Sequence, residues 1–172
     1  MPMTMAPVIP TGRGSAPYEN WRPPITGVSL LVPVGADALV VASLLGVVMM
    51  PSGPVDEGQT PEQAARNVLR AAPDGLPSLR RVALAWTQTR RRKVFTHVLA
   101  TAPIPRDAVG HLNYRDPRAH LRVLPTMRVI NDLPVNGRLR VVVGLQALAT
   151  GETTVIEGGV IRSSAPPGLV QG

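Results

Sequence analysis

The stretch from Gly53 to Ala72, GPVDEGQTPEQAARNVLRAA, constrains the fold of this chain more than any other. Thr60 and Gln63 have the spacing of a capping box, in which each side chain bonds the other residue's backbone N–H. Pro61 falls at the first helical position, where a missing N–H costs nothing. A helix is therefore predicted from Thr60 to Ala72. Ala64, Ala65, Val68, Leu69 and Ala72 share one stripe of a 3.6-residue period, with Glu62, Arg66, Asn67 and Arg70 largely outside it. Pro73-Asp74-Gly75 supplies the stop.

The run Pro51 to Arg66, PSGPVDEGQTPEQAAR, resembles the Nudix box: a Pro-x-Gly turn, a short acidic glycine loop, a Thr-Pro-Glu helix start and then the helix. The resemblance covers roughly residues 25 to 150 and is specific chiefly at the box. It implies an α+β fold, a Nudix-like α/β/α sandwich with a mixed β-sheet, the box loop and helix, and a C-terminal helix. In family members the helix glutamates hold Mg²⁺ and support attack by water on a diphosphate. The pattern asks for glutamate after the loop glycine and for Arg-Glu-aliphatic-x-Glu-Glu on the helix. This chain has Gln59, then Asn67-Val68-Leu69-Arg70-Ala71-Ala72, where Leu69 alone matches, and Gly75-Leu76 comes one residue late. A hard divalent cation takes oxygen ligands, and Val68, Ala71 and Ala72 offer none. The expectation is thus a degenerate box without a metal site or cofactor, and a neutral ligand pocket around Gly53, Gln59, Asn67, Val68, Ala71 and Tyr114. A plainer reading of the same residues is a capped surface helix unrelated to the Nudix box.

The 172 residues, 44% hydrophobic, suit one domain with a real core. The expected division is an extended arm over residues 1 to 24, a Nudix-like domain over 25 to 150 and a tail over 151 to 172. The arm is rich in Pro, Gly and Met, with Tyr18 and Trp21 placed to pin it to the domain or to meet a ligand or partner. The absence of cysteine excludes disulfides and thiolate metal sites. No signal-peptide pattern opens the chain, and a cytoplasmic protein is expected.

Val28 to Met50 is almost continuously apolar, but Pro33, Gly35 and Asp37 break it with a turn, so it reads as strands buried on both faces and not as a membrane span. Arg80 to Thr87 and Val94 to Thr101 read as a hairpin whose tip carries Arg90, Arg91, Arg92 and Lys93. That tip is either a solvated turn or a phosphate or nucleic-acid contact. Residues 102 to 135, with Pro103, Pro105, Pro117, Pro125 and Pro134, read as loop-rich and hold His111, Tyr114, Asp116 and His120, a group that could line a pocket. Arg138 to Thr150 is taken as the C-terminal helix on the strength of the resemblance, although Val141-Val142-Val143 favours a strand. In the tail, Thr154 to Ile156 and Val160-Ile161 flank Gly158-Gly159 as a possible edge hairpin or an arm to a second subunit.

Three functions follow. The first is a non-hydrolytic module, regulatory or accessory, binding a small molecule or a protein, with a homodimer as one form. The second is a Nudix-type hydrolase or lyase with a relocated site drawn from Asp56, Glu57, Glu62 and His97. The third is a nucleic-acid binder using Arg80, Arg81 and the four-cation tip, which a steep loss of binding with added salt would support; the net charge of +7, carried almost wholly by arginine, fits a GC-rich genome as well as it fits any function.

Overall fold

The computed structural model describes residues 22–165. Tyr18, Trp21 and almost all of the expected arm lie outside that range, as do residues 166–172 of the tail.

The apolar run resolves into β1 (Ile25–Leu31), β2 (Pro33–Val34), β3 (Ala38–Leu44) and β4 (Val47–Met49). There follow β5 (Ser52–Pro54), α1 (Pro61–Val68), β6 (Leu69–Ala71), and the long hairpin β7 (Leu79–Gln88) and β8 (Lys93–Thr101). After a 3-10 turn come β9 (Leu112–Tyr114), β10 (His120–Pro125), α2 (Thr126–Asp132), α3 (Val135–Thr150), β11 (Thr153–Glu157) and β12 (Val160–Ala165).

The main sheet has the order β12-β11-β7-β8-β1-β5 and is mixed: β1 runs parallel to β8 and β11 parallel to β7, the other pairs being antiparallel. A smaller sheet, β10-β3-β2 with β4 on β3, packs beside it. Alternation along β1 divides the core. Val28 and Leu30 face a cluster with Ala64, Ala65 and Val68 of α1, whereas Leu31 faces a cluster with Val141, Val143 and Ala147 of α3. Helices thus cover both faces of a mixed sheet, the α+β architecture expected.

The predicted capping box is present: Gln63 N–H donates to Thr60 Oγ1 at 3.1 Å and Thr60 N–H to Gln63 Oε1 at 2.9 Å. The length of the helix is different. α1 ends at Val68, and residues 69 to 71 form a ladder with Leu112–Tyr114. The carbonyls that leave the helix find other donors there, Val68 O taking the N–H of Arg115 at 2.9 Å and Ala71 O that of Gly75 at 2.8 Å. Pro73 adds to this, because a residue before proline is pushed out of the α region.

Residues 102 to 135, expected as loop, contain β10, which pairs with β3 along its whole length, and α2. The prolines were misleading, since Pro125 ends the strand and directly precedes α2. α3 begins at Val135, so Asn136-Gly137 lies inside it; its close approach to the sheet rests on Gly144, where a Cβ would stand 3.0 Å from Leu31 Cδ2. At its end Gly151 takes the left-handed conformation, with φ 79°, that glycine adopts without a steric penalty. The β11–β12 hairpin adds to the main sheet through β7, and Ile156 is buried in the core. Among the described residues no helix is long and apolar enough to cross a membrane.

Candidate functional site

The box is assembled on the edge strand β5, whose Ser52, Gly53 and Pro54 pair with Ser29, Val28 and Gly27 of β1. Gly53 is needed for packing: a Cβ there would meet Val68 Cγ2 at 2.6 Å and Arg115 Nε at 2.9 Å. The loop from Val55 to Thr60 is closed by Gln59, whose N–H donates to Asp56 O and whose Oε1 accepts from Asp56 N–H, both at 3.0 Å. Where the resemblance expects a glutamate, this glutamine therefore serves the loop itself.

The positions that hold metal in Nudix proteins are occupied as follows. Val68 is 1% exposed and packed in the core, Ala71 lies in β6, and Ala72 follows in an exposed turn. None of these side chains carries an oxygen, and among the described residues no three His, Asp or Glu side chains come together as a metal-binding group. The residues at the box do not fit Mg²⁺, whose preferred ligands are carboxylate oxygens and water.

The expected neutral pocket is not assembled as one cavity. Val68 is in the core, Asn67 is exposed on α1, Ala71 packs against the α1-side cluster, and Tyr114 Oη bonds Ser52, accepting from its N–H at 3.4 Å and donating to its O at 3.2 Å. The surroundings of the box are also charged, because Arg115 Nε donates to Ser52 O at 2.9 Å. Sequence reading missed Arg115; only the β6–β9 ladder brings it to the box.

What the structure does bring together is Asp56, Glu57, Gln59 and His97. They line an open cleft of about 820 Å³ with Thr26, Val55 and Pro61. His97 Nδ1 is buried without a hydrogen-bond partner. Burial lowers the pKa of this imidazole, the neighbouring Arg81 lowers it further, and Glu62 opposes both. Glu62, half-buried in the first turn of α1, is thus near enough to act on His97 without lining the cleft. Of the other titratable groups, Asp116 is clasped by Arg118 through bonds of 3.1 and 2.9 Å, which hold its carboxyl at about 2.

A second cleft, of about 300 Å³, opens beside α3 and is lined by Met50, Ser29, Ser52, Leu133 and Arg140 among others. Burial lowers the pKa of Arg140. At the hairpin tip, Arg90, Arg91 and Arg92 line a shallow depression with Arg22 and Thr89. Lys93 is turned away from that group, its Nζ 5.1 Å from the centre of the Trp86 ring, which packs on Phe95 at 6.3 Å.

This arrangement of sheet, box loop and flanking helices is shared with known structures. The chain is similar to the solution structure of the E. coli ORF135 protein, with 13% identity and a TM-score of 0.55 over 74% of this chain and 91% of that one. It is similar to the MutT protein from Methanosarcina mazei Go1, with 12% identity and a TM-score of 0.54 over 74% and 96%. An ADP compounds hydrolase gives 12% identity and a TM-score of 0.53 over 73% of each chain. No family model matches the sequence, and no curated protein does. The chain has the Nudix fold; at this identity the likeness establishes the fold alone.

Proposed function

We propose that this chain is a Nudix-fold binding module, regulatory or accessory in role, that does not hydrolyse diphosphates through a metal held at the box. The observation that carries this reading is the early end of α1. Val68 is sealed in the core and Ala71 is in a strand, so the box helix presents no carboxylate array to a cation. Metal-assisted attack on a phosphoryl group needs such an array to fix the ion and the reacting oxygens. The test is a panel of nucleoside diphosphate derivatives with Mg²⁺ or Mn²⁺, scored for thermal stabilisation and for phosphate release. Stabilisation without release is expected; release at rates of about 1 s⁻¹ or more, ordinary for enzymes, would overturn the reading.

A second reading, a hydrolase or lyase with a relocated site, is favoured by the cleft that Asp56, Glu57 and His97 share. In that case Asp56→Asn and His97→Asn would each abolish any turnover found, while Gln59→Ala would act mainly on loop stability. The exposed Arg90 and Arg91 and the half-buried Arg92 support a further role in contacting nucleic acid. If they do, affinity for a single-stranded oligonucleotide falls steeply with added salt and Arg90→Gln with Arg91→Gln flattens the slope.

A further inference from the structure

Arg115 places a cation at the box from outside the box sequence. Its side chain crosses Gly53 on the spot against which Val68 also packs, since a Cβ on that glycine would lie 2.9 Å from Arg115 Nε, 3.1 Å from its Cδ and 2.6 Å from Val68 Cγ2. Two bonds fasten it there. The Nε–H donates to Ser52 O at 2.9 Å, and the backbone N–H donates to Val68 O at 2.9 Å. Val68 is a position where the Nudix pattern has a glutamate, and Ser52 immediately precedes the first glycine of the pattern.

The residue is exposed, and among the described residues its terminal guanidinium nitrogens make no hydrogen bond or ion pair. The carboxylate that follows it, Asp116, is held in a bidentate clasp by Arg118. Arg70, exposed on β6 beside β9, adds a second positive charge to this side of the box. A divalent cation approaching Val68 and Gly53 meets fixed positive charge and no carboxylate array, and like charges repel. A phosphate group approaching the same place meets a planar fork of N–H donors already anchored at one nitrogen, the geometry that suits its oxygens.

We propose that Arg115 binds a phosphate-bearing ligand at the box directly, taking the place of the metal ion. This rests on the binding-module reading above and names the chemistry that the module recognises. Mg²⁺ has no place in the site, and by pairing with the ligand in solution it competes with Arg115.

The experiment is titration calorimetry of the full chain with pyrophosphate and with ADP, first in EDTA and then in excess Mg²⁺. Both ligands are expected to bind in EDTA, and excess Mg²⁺ is expected to weaken binding. Arg115→Gln should weaken binding about tenfold or more, Arg115→Lys by less, and Arg128→Gln at the exposed surface of α2 should leave it unchanged. Circular dichroism melts establish that each variant is folded, and Arg115→Lys, which keeps the stem and the charge, carries the comparison if the glutamine variant is not. Binding that requires Mg²⁺, equal affinity in the folded Arg115 variants, an equal loss in Arg128→Gln, or no binding of either ligand would each overturn the proposal. Phosphate release from ADP with Mg²⁺ would instead overturn the binding-module reading, so the two failures are distinct.

Discussion

Gly53 is the point at which the backbone of β5, the side chain of Val68 and the stem of Arg115 meet. A Cβ placed there is 2.6 Å from Val68 Cγ2, and Val68 is too tightly enclosed to yield. Gly53→Ala is therefore expected to destabilise the protein by about 1–3 kcal/mol, the usual cost of overpacking, read as a lower urea midpoint with an unchanged slope. His97 makes a separate prediction. Burial and Arg81 lower its pKa below the ordinary 6.5, so the unfolded chain takes up the proton first as pH falls. Stability tied to this residue is complete above about pH 7 and declines as pH drops through 6.5 toward the folded-state pKa. Stability measured by denaturant from pH 7.5 to 5 should fall less in His97→Gln than in the parent. Both sites follow from residue identity only in part: the sequence names the glycine and the histidine, but not that Arg115 lies over one and Arg81 beside the other.

The box helix illustrates how an element can be correctly started and wrongly ended by its own sequence. Its N-terminal signals are local, as Thr60, Pro61 and Gln63 need only one another, and the structure has them as predicted. Its C-terminus is decided by competition. Ala64, Ala65, Val68, Leu69 and Ala72 would continue one helical stripe, but the chain gains a ladder with Leu112–Tyr114 by leaving the helix at Leu69. Thr60→Ala should therefore cost about 1 kcal/mol, the usual cost of a lost cap, in a chevron or equilibrium melt. Val68→Glu should not restore a metal site. It buries a carboxylate without a partner, and a loss of more than about 2 kcal/mol with no gain of Mg²⁺ binding by calorimetry is expected. The region from 102 to 135 shows the same competition with the opposite outcome. Its prolines suggested loop, yet His120–Pro125 adds to β3 because that strand has a free edge to satisfy.

At the scale of the molecule the C-terminal hairpin is part of the sheet. β11 lies parallel to β7, Thr153 Oγ1 donates to Arg81 O at 3.3 Å, and Ile156 is 3% exposed. Truncation after Gly151 uncovers that side of the core and turns β7 into an open edge strand, still paired with β8 on its other side, so a drop in melting temperature together with aggregation is expected in light scattering during a melt. The sequence by itself determined what local chemistry can determine: the cap of α1, the two-faced burial of β1 and β3, the long hairpin, and the lack of carboxylates where the Nudix box needs them. Those features depend on residues near one another in the chain, and their periodicity survives without knowledge of the partner. Tertiary structure alone decided where α1 stops, that Asp56, Glu57 and His97 line one cleft, and that Arg115 reaches Ser52 and Val68; the helix through Val141 to Val143 is expected only from the resemblance, against the local β preference. Each of these is settled by hydrogen-bonding edges and apolar faces contributed from distant parts of the chain, whose gain in pairing and burial exceeds the local preference.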